Sequence, residues 1–315
     1  MNDRLTIFTL SLILFASALA FVTIGANNWN TLIIELRLVK IWGLIIVGLS
    51  VGVATVILQT LAMNRILTPG IMGFDALFVF IQSALIALLG GIAFSSIPPG
   101  LKFTGEVVAM ASLSAMLFAT VLARGSSDVT RLLLVAVVIG MLLRSLSAFV
   151  QRLLDPSEFA ILQGEMFASF GTIDETNLAY STIALLMAFP LIAWLSPQLD
   201  VMLLGRAKAS SLGVNHRRLL LIGLATVSVL SAVSTALVGP ITFLGLLIAS
   251  LARVMVASYH HAILLPVSGL LGAVTLVCGQ LAFERLFATQ TALAFVIEAL
   301  GGLLFLALVF RRRTA

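Results

Sequence analysis

The chain has 315 residues, of which 61% are hydrophobic and only 10% charged, and its mean hydropathy is +1.18. A soluble domain carries about 25% charged residues, so a water-soluble enzyme, a disordered protein and a nucleic-acid binder are excluded at the outset. The formal charge of +5 therefore matters less than where the charges lie. The single cysteine, Cys278, makes neither an intrachain disulfide nor a multi-cysteine metal site.

Crossing about 30 Å of hydrocarbon takes roughly 20 apolar residues in a helix, which pairs its backbone amides within its own segment. Ten charge-poor runs are candidates: 5–24, 41–63, 71–89, 107–123, 132–150, 178–195, 219–238, 243–257, 264–283 and 291–310. The chain thus reads as one all-α transmembrane domain over 1–315, with about ten helices. The first run exceeds the roughly 7–15 residues of a secretory h-region and is expected to be a retained helix. The eighth begins just after a Gly239-Pro240 turn signal.

Orientation follows from lysine and arginine placement. With an even number of spans and both ends cytoplasmic, the inner segments hold Arg4, Arg65, Arg124, Arg131, Arg206, Lys208, Arg217, Arg218, Arg253, Arg311, Arg312 and Arg313, which is 12 of the 18 basic residues. The outer segments hold Arg37, Lys40, Lys102, Arg152 and Arg285, while Arg144 lies inside a span. This bias predicts an N-in, C-in protein. The stretch 152–177 reads as an acidic outer loop and 196–218 as a basic inner one.

Much chemistry is missing. The sequence has no G-x-x-x-x-G-K-[ST] phosphate loop, no H-E-x-x-H and no G-x-S-x-G elbow. His216, His260 and His261 are expected at inner loop edges, as interfacial polar residues rather than metal ligands. No catalytic residue, metal or cofactor is assigned, and nucleic acid is not an expected partner.

The inner loop after the sixth span reads Leu203-Leu204-Gly205-Arg206-Ala207-Lys208-Ala209-Ser210-Ser211-Leu212-Gly213-Val214. Its spacing predicts a short amphipathic helix that Gly213 ends. Such a helix either docks in a partner's groove or lies on lipid headgroups. The loop resembles the coupling segment of the iron-siderophore and cobalamin uptake permeases, the FecCD-type membrane subunits of ABC importers. Gly205, Ala209, Leu212, Gly213 and Val214 fit that family's L-G-x-x-x-A-x-x-L-G-[VL]. Arg37-Leu38-Val39-Lys40 resembles its R-L-P-R, and Asn64-Arg65-Ile66-Leu67-Thr68-Pro69-Gly70-Ile71-Met72-Gly73 its N-P-L-A-x-P-G-x-L-G. Gly48 with Gln59, Gly239-Pro240-Ile241-Thr242-Phe243-Leu244-Gly245-Leu246 with Arg253, and Leu265-Pro266 with Gly272-Ala273 complete a set running in order from about Arg37 onward. Val39-Lys40, Ala249-Ser250, Gly279-Gln280 and Gln290-Thr291-Ala292 depart from the family pattern, and these departures look like the siderophore branch.

The resemblance implies a permease of ten helices in a bacterial cytoplasmic (inner) membrane. Its implied partners are a second permease subunit (a paralogue favoured over a copy), two ATPase subunits that hydrolyse ATP, and a periplasmic or lipid-anchored siderophore-binding protein. The implied coupling segment spans about 200–216, with Gly205, Arg206, Ala209, Leu212 and Gly213 facing the ATPase. Arg37, Lys40 and Arg285 are the candidate docking residues for the binding protein, and headgroup anchoring is the other reading of them. Asn64 and Ile66, with Val129 and Thr130, resemble the cytoplasmic gate, or form ordinary turns. The implied cargo is a ferric siderophore, of which catecholates are anionic. A charge at membrane depth is costly and points to function, so Arg144 is the candidate pathway residue. A structural pairing with Asp75 or Glu298 is the alternative. An ion-coupled secondary transporter using these intramembrane charges is the second functional reading.

Overall fold

Each of the ten apolar runs contains a helix in the computed structural model, which describes residues 3–24, 31–123, 129–171, 173–287 and 292–311. In chain order the helices are α1 (Asp3–Thr23), α2 (Thr31–Leu61), α3 (Phe74–Leu89), α4 (Gly91–Ser95), α5 (Pro99–Ala123), α6 (Val129–Gln151), α7 (Pro156–Met166), α8 (Glu175–Met202), α9 (Arg206–Ser211), α10 (His216–Val238), α11 (Leu244–Met255), α12 (His261–Ala282) and α13 (Ala292–Arg311). A π-helical turn, Phe283–Phe287, follows α12. The chain belongs to the polytopic all-α class.

Seven of these helices are long and apolar enough to cross a bilayer. In α13 the apolar stretch found is the shorter Leu293–Ala307, and the remaining two expected spans are short helices, α3 with 16 residues and α11 with 12. At 1.5 Å per residue, α11 reaches only about 18 Å. Irregular backbone at 62–73 and 239–243 precedes these two helices. It survives there because Leu67, Thr68, Pro69 and Gly70 are buried in protein rather than exposed to lipid. The first of these segments closes on itself through bonds from Gly73 N–H to Gly70 O (3.1 Å) and from Met72 N–H to Thr68 O (3.2 Å).

The centre of the bundle is α2, α10 and α12. Buried residues make up 78% and 72% of the apolar windows of α2 and α10, but only 17% of that of α6, so α6 is peripheral within the chain. The pair α2 and α12 packs through small residues. A Cβ on Gly48 would stand 2.3 Å from the Ala273 nitrogen, and one on Gly52 would stand 2.4 Å from the Ser268 carbonyl. Lipid supplies no hydrophobic drive between helices, so close backbone approach at small residues carries their association.

The outer stretch 152–177 departs from the expected loop, because it contains α7. Asp155 and Glu158 form a reciprocal capping box around Pro156 at the first helical position, which starts a helix by satisfying its orphan amides. The Asp-Pro-Ser-Glu signal is legible in the sequence, where it went unread.

Several polar contacts gather at the two ends of the bundle. One end gathers Asp3, Gln59 with Arg253, Asp200 with His260 and His261, and α9. The other gathers Arg37 on the last carbonyls of α1, Lys40 with Glu284, Lys102 with Glu165, and Gly91 N–H on Glu158.

Candidate functional site

The segment after α8 turns sharply at Gly205 (φ 90°), forms the six-residue α9 and ends at Gly213 (φ 87°). Both glycines hold left-handed backbone, which costs side-chain-bearing residues about 1–2 kcal/mol. Only Ala209 of α9 is fully buried. It anchors the turn, and its carbonyl accepts the Val214 N–H at 3.0 Å. Arg206, Ala207, Lys208, Ser210 and Ser211 are exposed, and Leu203, Leu204 and Leu212 are 42%, 54% and 63% exposed. A basic and leucine-rich surface is therefore presented at one end of the bundle. Asn215 restarts the chain as the cap of α10, accepting the Arg218 N–H at 3.0 Å. The Arg218 guanidinium lies 5.6 Å from the Trp194 ring of α8, bracing the two helices that flank α9.

The expected gate is described only on one side. Asn64 Oδ1 accepts the Ile66 N–H at 3.1 Å, which holds the turn after α2. Met63 before it has φ 49°. The side chains of Val129 and Thr130 and the residues 124–128 lie outside the described residues.

Of the outer basic residues, Arg37 and Lys40 are engaged within the chain. The Arg37 guanidinium donates to the Val22 carbonyl at 2.6 Å and to that of Ile24 at 3.2 Å, capping the end of α1. Lys40 pairs with Glu284, which also accepts from Gln280 at 2.8 Å. Arg285, in the π turn, is exposed and makes no ion pair among the described residues.

In the membrane interior, Asp75 Oδ2 accepts the Thr242 hydroxyl at 2.6 Å. This bond joins the first turn of α3 to the irregular segment before α11. The carboxylate lies against Gly70, where an added Cβ would meet Asp75 Oδ2 at 2.4 Å. Gly73 and Gly140 make the neighbouring contact between α3 and α6, each glycine's Cβ direction blocked by the other's Cα at under 3 Å. One turn beyond Gly140 stands Arg144, exposed on the side of α6 turned away from the core. It forms no ion pair with Asp75 or Glu298 among the described residues, so the alternative structural pairing takes no direct form. Both Arg144 and the exposed Glu298 of α13 are nevertheless within electrostatic reach of Asp75.

Sequence reasoning missed one constellation. His261, expected at a loop edge, is 1% exposed and hydrogen-bonded to Asp200 and Thr60. Among the described residues, no group of three or more His, Cys, Asp or Glu is placed to hold a metal ion.

Comparison with known proteins agrees with this architecture. The FecCD transport family matches residues 5–311. The petrobactin import system permease protein YclO of Bacillus subtilis is 35% identical over 300 residues, covering 93% of this chain and 95% of the relative. The petrobactin import system permease protein FatC of Bacillus anthracis is 32% identical over 281 residues, covering 89% and 79%. A solved structure of a metal-chelate type ABC transporter in an inward-facing conformation superposes with a TM-score of 0.84 at 22% identity, covering 98% of this chain and 99% of that one. The chain belongs to the FecCD transport family and is a multi-pass membrane permease.

Proposed function

We propose that this chain is the membrane-spanning subunit of an ABC importer that carries a ferric siderophore into the cytoplasm, with ATP bound and hydrolysed by separate subunits. The observation that carries the reading is α9. It is a six-residue helix set off by two left-handed glycines, with its basic side chains and the flanking Leu203, Leu204 and Leu212 exposed at the basic end of the bundle. A transporter that works alone has no need of such a projection. A partner ATPase groove gives it one, seating Leu212 and pairing Arg206 and Lys208 with acidic groups.

The positive-inside rule places this end in the cytoplasm, in a bacterial inner membrane with both termini inside. The face of α6 that carries Arg144 is poorly suited to lipid. A second permease subunit against this face leaves a shared pathway rimmed by Arg144, Glu298 and, just behind them, Asp75. An arginine there gives an anionic iron chelate a transient station. The petrobactin permeases among the relatives support a siderophore cargo. On the outer side, Arg285 is the group open to a binding protein's carboxylates, and it would steer docking.

The test is isolation and transport. The chain is purified from membranes under mild conditions, and the co-purifying proteins are searched for an ATPase with a phosphate loop. Uptake of radiolabelled iron chelates is then followed in a deletion strain. Uptake that stops when the ATPase is inactivated supports the importer. Uptake that survives that inactivation but collapses with the ion gradient establishes the ion-coupled reading through Asp75, Glu298 and Arg144.

A further inference from the structure

The base of α9 is held by a buried polar network spanning three helices. Asp200 stands in the last turn of α8, one short bend before α9. Its Oδ1 accepts the backbone N–H of His261 at 2.7 Å and faces Nδ1 of the same residue at 2.6 Å. Its Oδ2 faces Nδ1 of the exposed His260 at 3.2 Å. His261 opens α12, and its Nε2 lies 2.9 Å from Thr60 Oγ1 at the end of α2. The Thr60 hydroxyl donates in turn to the Val56 carbonyl at 2.9 Å.

Counting protons defines what this network can do. A carboxylate only accepts, so Nδ1 of His261 carries a proton. A hydroxyl has a single proton to give. With that proton on Val56 O, Thr60 Oγ1 can only accept, Nε2 is protonated as well, and an imidazolium faces the carboxylate. When the ring is neutral, the hydroxyl swings to Nε2 instead. In both states the Nδ1–H stays on Asp200, so the bond persists through either protonation of the ring. Arg253 of α11 lies within electrostatic reach of His261, Arg65 lies within reach of Arg253, and Asp3 of α1, at the same end, accepts the Ala257 N–H at 3.2 Å.

We infer that His261 is the positioning residue that clamps the base of α9 to the glycine-packed pair α2 and α12, so that a push on α9 moves the bundle. The inference rests on the reading of α9 as the ATPase contact. The mechanical reason is direct. Within α9 itself only Ala209 is buried, and a helix of six residues between two glycine bends cannot transmit force through its own backbone. Asp200 supplies the missing anchor just upstream. Its partner His261, 1% exposed, and the partner of His261, Thr60 at 3%, are both buried.

The experiment uses the purified complex of the full chain with its co-purifying subunits, reconstituted in liposomes. Chelate imported and ATP hydrolysed are measured together. His261→Gln keeps a donor toward Thr60 but withdraws the side-chain donor on Asp200, leaving only the backbone N–H of residue 261 there, whereas His261→Asn keeps a donor at the Nδ1 position. His261→Gln and Asp200→Ala are expected to leave assembly and ATP hydrolysis standing while chelate imported per ATP falls about tenfold, the scale of one charge-assisted hydrogen bond. His261→Asn is expected to restore most of the ratio, which a merely space-filling role would not produce. Thr60→Val, nearly isosteric, removes the buttress and should give a smaller loss, and it serves if His261→Gln fails to assemble. An unchanged import-to-ATP ratio in assembled His261→Gln and Asp200→Ala complexes overturns the inference and leaves the importer reading intact. A wild-type chain whose uptake needs no ATPase overturns both.

Discussion

Gly48 of α2 and Gly272 of α12 touch backbone to backbone: a Cβ on Gly272 would lie 2.3 Å from the Gly48 carbonyl oxygen. This contact sets the separation of the two central helices, and the pairs Gly52 with Ser268 and Gly269 with Leu49 continue it along the interface. At Gly48, Gly52 and Gly272 no side chain can yield, because the nearest opposing atoms are backbone. Gly48→Val is therefore expected to force the helices apart and destabilise the protein by about 1–3 kcal/mol or more, the range for overpacked cores. The thermal midpoint of the detergent-solubilised protein checks it. A midpoint equal to that of the wild type would show that α2 and α12 separate freely.

The bond between Thr242 and Asp75 joins the irregular segment before α11 to the first turn of α3. Thr242→Val keeps the shape and removes the donor. It leaves a partly buried acceptor unsatisfied, at a cost of about 1–3 kcal/mol. The same substitution at the exposed Thr104, whose hydroxyl bonds only to the Gly100 carbonyl of its own helix, is expected to cost far less. Paired thermal unfolding curves of the two variants make the comparison.

Gly213 ends α9 with φ 87°, and a Cβ there meets no atom within 4 Å. Sterics with neighbours therefore play no part, and the whole penalty of Gly213→Ala is the left-handed backbone, about 1–2 kcal/mol. Because the strain falls on an exposed turn, the bundle should keep its stability. The yield of co-purified ATPase should drop several-fold. Quantitative mass spectrometry of the isolated complex measures this, and an undiminished yield would remove α9 from the interface.

Arg144 is exposed and makes no ion pair among the described residues. Arg144→Gln should change stability by no more than about 0.5 kcal/mol, as surface substitutions do. Uptake of an anionic iron chelate should slow while that of a neutral one is spared. Parallel radiolabelled uptake with the two chelates decides it, and equal effects on both would end the electrostatic reading.

The outer arginines separate by role. Arg37→Ala removes a cation from the carbonyl end of α1 and should cost about 0.3–1 kcal/mol of stability with little effect on binding-protein docking. Arg285→Glu should leave the thermal midpoint alone but slow association with the binding protein and invert its salt dependence. Surface-capture kinetics at two ionic strengths distinguish the two outcomes.

Much of this architecture is local and was legible in the residues. A run of apolar side chains is measured against bilayer thickness without knowing its neighbours, so each of the ten apolar runs was found and each contains a helix. Basic residues are concentrated toward one end of those helices, a bias visible in the sequence alone. The left-handed glycines of α9 announce their own bend, because few other residues tolerate it. What the runs did not show was that 62–73 and 239–243 are irregular backbone, with 67–70 buried in the protein, since apolar composition is the same for a full and a partial span. Nor did they show that Arg37 and Lys40 are spent on α1 and Glu284. Least legible of all was the meeting of Thr60, Asp200 and His261. They are separated by more than a hundred residues in one direction and about sixty in the other, and each looks like an ordinary interfacial residue when read alone. Their partnership exists only once α2, α8 and α12 have packed, because a buried polar group takes its partner from tertiary geometry, while a helix in lipid takes its length from its own sequence.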